Sequence, residues 1–381
     1  MQLTYPNKKS TEEILALVEK YNSPIDDVNL PALFFGDNFK VLSCLINNGF
    51  KNKIDLIYID PPYNTEQNFT LSLDRVSTIS RSKTDILAYR DNWAMNEYLE
   101  FMRERLILMR ELLSEKGSIY VHIDSKMGHY LKIIMDEIFG IENFKNDIAR
   151  IKSNPKNFSR KAFGNEKDMI LFYAKNTKKN IFNQITMPLT DDEKKAMFEK
   201  VDEQGRRYNT VPVHAPGETV NGETGGLWRD MLPPKGRHWR CSPSELEELD
   251  KQGLIEWSKN GVPRIKKFAD EHKGKKIQDI WRYKDPMYPD YPTQKNNEML
   301  EMIIAQSSNS DSIVMDCFAG SGSFLKASAK LNRHWIGIDE SPVAIDIMKK
   351  QFINIDYNFI DAHDKIKSKD VDKKECQLQL L

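Results

Sequence analysis

Between Ser312 and Ser341 the chain reads SIVMDCFAGSGSFLKASAKLNRHWIGIDES: a short apolar run, a glycine turn, a helical stretch and a second apolar run closed by an acid. That order is a parallel strand, helix, strand unit. It commits this part of the chain to an α/β sheet whose ligand crevice lies outside the carboxyl ends of its strands. Gly320 and Gly322 fall where strand gives way to helix, and without side chains they let a ligand approach the backbone. Asp316 stands at the end of the first strand with Phe318 just beyond it, and Asp339 ends the second. Asp339 follows Gly320 at about the ~20-residue offset at which an acid meets ribose hydroxyls. The turn lacks the third glycine of a dinucleotide fingerprint, and no phosphate-loop lysine follows, so the pattern favours a nucleoside ligand without a pyrophosphate.

A second apolar run, IDLIYI, stops at Asp60-Pro61-Pro62-Tyr63. Proline donates no backbone hydrogen bond, fixes its own φ and drives the preceding residue out of helical space. The paired prolines must therefore end the strand in a stiff, extended corner from which Asp60 and Tyr63 leave in fixed directions. A carboxylate and an aromatic face beside two prolines pack poorly in a core but clamp a flat, hydrogen-bonding ring well.

The rest of the chain divides around these two features. Residues 1–145 read as α/β: strands at ALFFGDN and KIDLIYID, then a helix with Leu99, Met102, Leu106, Met109 and Leu113 at three-four spacing, ended by Gly117 and followed by the strand SIYVHID. Residues 146–285 change character, with scattered Gly, Pro and Asn, a capped helix SPSELEELDKQG and a hairpin turning at Asn260-Gly261, and they read as an inserted module. Residues 286–381 return to α/β and end in a charged tail.

Lys plus Arg and Asp plus Glu balance at 56 each over 381 residues, yet the basic residues concentrate in the middle. Residues 147–180 and 259–284 hold nine Lys/Arg apiece, and between them Arg229, Lys235, Arg237 and Arg240 interleave with Trp228 and Trp239. Clustered cations with aromatics suit a polyphosphate backbone and its bases. The four cysteines, Cys44, Cys241, Cys317 and Cys376, fit neither a disulfide framework nor paired zinc spacing, so no metal is expected. The lack of a long apolar run and of an apolar N-terminal segment leads to the expectation of a cytoplasmic protein.

DPPY at Asp60 to Tyr63, YPTQK at Tyr291 to Lys295 and FAGSG at Phe318 to Gly322 resemble the catalytic, cofactor-flanking and cofactor motifs of S-adenosylmethionine-dependent DNA amino-methyltransferases. Their order, with a basic insert between the first and the last two, is that of the beta class, which includes type II enzymes and the modification subunits of type III restriction systems. The resemblance implies a Rossmann-like methyltransferase sheet carrying residues 1–145 as a catalytic half, 146–285 as an inserted target-recognition domain and 286–381 as a cofactor-binding half. It implies S-adenosyl-L-methionine as cofactor and methyl transfer to the N6 amine of an adenine flipped out of the duplex.

In that scheme Asp60 and the Pro61 carbonyl accept hydrogen bonds from the amine, Pro62 stiffens the corner and Tyr63 stacks on the base. Asp316, Phe318, Gly320 and Gly322 line the methionine part of the cofactor and Asp339 holds its ribose. Asp37 lies near the cofactor adenine or caps a helix, and Thr293 and Lys295 meet the methionine carboxylate. Lys266 and Lys267 serve as phosphate contacts, and Arg237 and Arg240 as readers of a base edge or as phosphate anchors. The implied partners are double-stranded DNA, with room for a cognate restriction endonuclease and a homodimer. The same clamp can serve cytosine N4, although serine is more frequent there at the position of Asp60. A non-catalytic DNA-binding paralogue would usually lose the acid or a glycine, and none is lost.

Overall fold

The computed structural model describes residues 2–24, 28–64, 67–71, 86–91, 93–153, 161, 163–219, 221–285 and 295–366. They form two compact units, one of residues 1–185 with 278–381 and one of Thr186–Ile277.

The first unit is built on a nine-stranded sheet. In chain order its strands are β1 (Ala32–Phe35), β2 (Ile54–Ile59), β3 (Leu113–Ile123), β4 (Phe144–Ile151), β5 (Lys167–Ala174), β6 (Ile280–Trp281), β7 (Ile313–Asp316), β8 (His334–Asp339) and β9 (Asn358–Asp361). Their spatial order is β6-β4-β5-β3-β2-β7-β8-β1-β9. All neighbours from β3 through β9 are parallel, whereas β5 runs antiparallel to both β3 and β4. All six residues of β2 are buried, as a central parallel strand covered on both faces requires. The helices Asn38–Leu45 (α1), Met95–Leu112 (α2), Ser125–Phe139 (α3), Asn297–Ser307 (α4), Ser323–Lys330 (α5) and Pro342–Gln351 (α6) complete the layers.

Leu99, Met102, Leu106 and Met109 are buried on α2 as their spacing predicts. Its end is not at Gly117. The helix stops at Leu112, Leu113 begins β3, and Gly117 lies inside that strand. A Cβ on Gly117 would sit 2.7 Å from the Ile54 carbonyl oxygen, so the glycine serves close approach of β3 to β2, beside an irregularity in their register, rather than a helix cap. A hairpin, Gln67–Leu71 with Ile86–Asp91, follows the Pro-Pro corner and was not foreseen from the sequence.

The inserted unit is shorter than the expected 146–285. Residues 144–151 and 167–174 supply β4 and β5, and 280–281 supply β6, so both flanks of that segment belong to the large sheet. The second unit contains a four-stranded antiparallel sheet ordered Ile255–Trp257, Pro263–Phe268, Arg207–Pro212, Lys200–Val201. The predicted hairpin turns through Gly261 at φ +70°. The helix Pro243–Lys251 is capped reciprocally by Ser242 and Glu245. Trp228 and Trp239, which interleave with the cations of the basic segment, are buried in this unit's core with Val213, Leu246, Ile255 and Ile265. No helix among the described residues is long and apolar enough to cross a membrane.

Candidate active site

The chain leaves β7 toward β8 on one side and leaves β2 toward β3 on the other, and β2 and β7 are parallel neighbours, with Met315 opposite Ile57. A sheet opens a crevice at the carboxyl ends of its strands where connections diverge in this way. This register sets the Asp60-Pro61-Pro62-Tyr63 corner beside the Asp316 to Gly322 turn, although the two are far apart in sequence.

On the β2 side, the Tyr63 hydroxyl donates to Asp60 Oδ1 at 2.6 Å, and the Lys295 ammonium pairs with Asp60 Oδ2. Burial and the neighbouring Asp60 charge push the Tyr63 phenol well above its ordinary pKa, so it stays an O–H donor. The Tyr98 hydroxyl donates to the Pro62 carbonyl at 2.7 Å, which fastens the corner to α2. Asn64 adopts a left-handed conformation, φ 53°, and its side-chain oxygen accepts the Trp93 N–H at 2.9 Å. Lys295, expected at the cofactor's carboxylate, thus sits on Asp60, with its ammonium 5.6 Å from the Tyr63 ring centroid. Thr293 lies outside the described residues.

On the β7 side, Asp316 Oδ1 accepts the Phe318 N–H at 2.9 Å. Asp339 accepts the Gly320 N–H at 2.7 Å and the Ser341 N–H at 2.8 Å, one on each carboxylate oxygen. Gly320 and Gly322 both have positive φ, 51° and 75°. Gly322 has a second reason to be glycine: its Cβ would stand 2.7 Å from both Met348 Cγ and Phe352 Cζ. Burial drives the Asp316 carboxyl well above the usual carboxylate range, with Asp60 and Asp339 adding to the rise. Burial likewise pushes Asp339 up to about 6, against the lowering by its backbone hydrogen bonds. Three carboxylates so placed, beside glycine backbone, fit a ligand that brings positive charge and hydroxyl donors, as a sulfonium nucleoside does.

Asp37 does cap α1, accepting the Lys40 N–H at 3.0 Å, and it also pairs with Arg105 at 3.2 Å. Sequence reasoning missed Arg105, which with Arg103 is one of two buried arginines on α2. Its Nε donates to Asn38 Oδ1 at 2.6 Å, and Asn38 Nδ2 donates to the Cys317 carbonyl at 2.9 Å, tying the GDN segment to the glycine turn. Arg150, counted from sequence in a basic DNA-facing cluster, is fully buried, with Asp168 at 3.5 Å and Asp285 as ion-pair partners. Arg229 of the second unit is likewise committed to Glu247 and Asp250.

In that unit Arg240, Lys266 and Lys267 line one cleft of about 500 Å³ together with Val211, Phe268 and the carboxylate of Glu271. Arg237 is exposed, 3.3 Å from His214 Nδ1, and is not part of that lining.

An acid-flanked glycine turn at the end of β7 thus stands beside a carboxylate-proline-proline-tyrosine corner at the end of β2, the arrangement of a group-transfer site at the mouth of a doubly wound sheet. The DNA methylase family profile matches residues 54–350, and the chain belongs to that family. It is 42% identical over 333 residues to the type II methyltransferase M.EcaI of Enterobacter cloacae, covering 85% of this chain and 70% of that protein. It is 27% identical to the Mod subunit of the type III restriction-modification enzyme StyLTI of Salmonella typhimurium, covering 86% of this chain and 55% of the relative. The solved complex of M1.HpyAVI with SAM aligns with 84% of this chain and 99% of its own at 17% identity and TM-score 0.43. The chain is a DNA methyltransferase.

Proposed function

We propose that the chain methylates the N6 amine of adenine at a specific site in double-stranded DNA, on a base turned out of the duplex. The observation that carries this reading is Asp60, held by Tyr63 and Lys295 at the strand end that adjoins the glycine turn. An exocyclic amine is a weak nucleophile because its lone pair is delocalised into the ring. Asp60 and the Pro61 carbonyl accept its two hydrogens and draw the lone pair out, Pro62 holds their spacing, and the Tyr63 ring stacks on the base. S-adenosylmethionine supplies an electrophilic methyl when bound. The methylated amine is acidic and releases its proton late, so the site needs no strong general base.

Phe318, Gly320, Gly322 and Asp316 would hold the methionine part, Asp339 the ribose and Asp37 the adenine end. Thr293 and Lys295 would reach the methionine carboxylate, Lys295 from its place on Asp60. A hydroxyl donor favours the ionised form of Asp339, whose carboxyl lies at about 6. Cofactor affinity is therefore expected to fall as pH drops through 6, by up to about tenfold per unit below it, and Asp339→Asn should flatten the profile. Isothermal calorimetry from pH 5 to 8 checks this.

The unit Thr186–Ile277 would read the target, with Arg240, Lys266 and Lys267 gripping phosphate at their cleft and Arg237 at a base edge or phosphate. Lys267→Ala should weaken binding to cognate and scrambled duplexes alike and reduce the salt slope by roughly one unit. An unchanged slope on both duplexes would release Lys267 from the interface. The names borne by its relatives, a type II methyltransferase and a type III Mod subunit, support a place in a restriction-modification system beside a cognate endonuclease. The deciding experiment maps modified bases in DNA from cells expressing the chain. N6-methyladenine within one sequence context is the expected result; N4-methylcytosine, or no modification above the Asp60→Ala control, would sink the reading.

A further inference from the structure

Behind the Asp60 corner lies a line of polar side chains that the mechanism above does not use. The Tyr58 hydroxyl is 2.8 Å from His122 Nδ1, and His122 Nε2 is 3.3 Å from Asp168 Oδ2. Lys152 donates to Asp168 Oδ1 at 2.6 Å, and Arg150 lies 3.5 Å from Asp168 Oδ2. Arg150 also donates to the Tyr283 carbonyl at 2.9 Å and pairs with Asp285. Tyr58, His122, Arg150 and Asp168 are each at most 2% exposed.

These contacts fix the imidazole completely. Two basic side chains and a ring N–H outweigh the burial of Asp168 and hold its carboxyl well below the usual range, so it is ionised and can only accept. His122 Nε2 must then carry the hydrogen, and Nδ1 must accept from Tyr58. Burial disfavours a second proton on the ring. A structural role is the plain alternative, but apolar residues of similar volume often serve stability equally well where a buried charge network stands. The location argues for more. The His122 ring lies 6.4 Å from the Tyr63 ring at 35°, and Tyr63 in turn donates to Asp60. Tyr58, two residues before Asp60 on the same strand, stacks at 5.4 Å on Phe324, the second residue of α5 after the glycine turn.

We propose that His122 is a positioning residue for methyl transfer: pinned at both nitrogens by Tyr58 and Asp168, its ring backs Tyr63 and so sets the direction in which Tyr63 holds Asp60. This rests on the reading of Asp60 as the amine acceptor. Loss of either pin lets the ring turn, and the Asp60 oxygens lose their alignment while Asp316, Gly320 and Asp339 keep their own contacts.

The test compares Tyr58→Phe, His122→Phe and the double variant with the parent, on a duplex carrying the mapped site. Tyr58→Phe removes one oxygen and keeps the stack on Phe324, so it remains informative if His122→Phe does not fold. Each single variant should lose about 10- to 100-fold in single-turnover methyl transfer, the scale of a small misplacement. Affinities for S-adenosylmethionine and DNA should stay within about twofold and the melting temperature of Tyr58→Phe close to that of the parent, while the double variant should lose no more turnover than His122→Phe alone, as residues acting as one unit do. Nitrogen-15 spectra of the ring should show the neutral Nε2–H tautomer at pH 7. A folded Tyr58→Phe with parental turnover, losses that multiply in the double variant, or losses that follow the melting temperature or cofactor affinity would overturn the proposal. Failure of the parent to methylate adenine is a separate outcome, which removes the Asp60 reading on which the proposal stands.

Discussion

Asp60→Ala is expected to lower methyl transfer by about a thousandfold or more, the scale on which preorganised hydrogen-bonding groups act in a closed site, while S-adenosylmethionine still binds. The carboxylate is assigned to the amine, and of the groups assigned to the cofactor Asp316, Gly320 and Asp339 lie on β7, the turn and β8, with Lys295 touching Asp60. Asp60 also anchors Tyr63 and Lys295, so the alanine variant removes a partner from each of them. Asp60→Asn separates the two effects, since it keeps the shape and an acceptor oxygen but loses the charge. It should retain more stability than alanine and remain strongly impaired. Single-turnover assays with calorimetric cofactor binding on the same preparations make the comparison. An Asp60→Ala enzyme with turnover within tenfold of the parent would end the assignment.

The two glycines of the turn should fail in different ways when replaced by valine. At Gly322 a Cβ meets Met348 and Phe352 of the α6 region at 2.7 Å, in a backbone conformation that β-branched residues avoid. Overpacking costs about 1–3 kcal/mol and left-handed φ about 1–2 kcal/mol, so Gly322→Val should unfold readily or not accumulate. Gly320→Val carries the conformational cost and, by obstructing close approach to the backbone, should weaken S-adenosylmethionine binding at least tenfold in a chain that still folds and binds DNA. Melting curves and cofactor calorimetry separate them. A folded Gly320→Val with parental cofactor affinity would remove the turn from the pocket.

The contrast shows which parts of this molecule sequence can express. Strands β2, β7 and β8 and the turn between the last two were readable because their signals are local: an unbroken apolar run, a stop at proline, glycine at a strand-to-helix corner. Asp60, Tyr63, Gly320 and Asp339 inherit that legibility. Lys295 was recognised as a site residue but given one partner, since its contact with Asp60 bridges most of the chain. Arg150 and Arg105 were misjudged or overlooked for a related reason. A cation counts the same in composition whether water or a buried carboxylate surrounds it, and only the fold brings Asp285 to the first and Asp37 to the second. The tryptophans of the second unit and Gly117 of β3 show the same limit: residue type narrows the roles, and the neighbour across the fold selects one.

The pairing of β2 with β7 bears on how this enzyme comes into being. Val314 lies opposite Leu56, about 250 residues further along the chain, and both active-site halves hang from that contact. Contacts so distant in sequence form late, after their loop-closure entropy has been met, and they slow folding. During synthesis, at about 5–20 residues per second, the DPPY strand waits many seconds before its partner leaves the ribosome, with an apolar edge exposed where β7 will later dock. A nascent chain in that interval holds the Asp60 corner without the glycine turn, and so only half of the proposed site. Activity therefore switches on as a single late event, when β7 docks beside β2 and the two halves first meet.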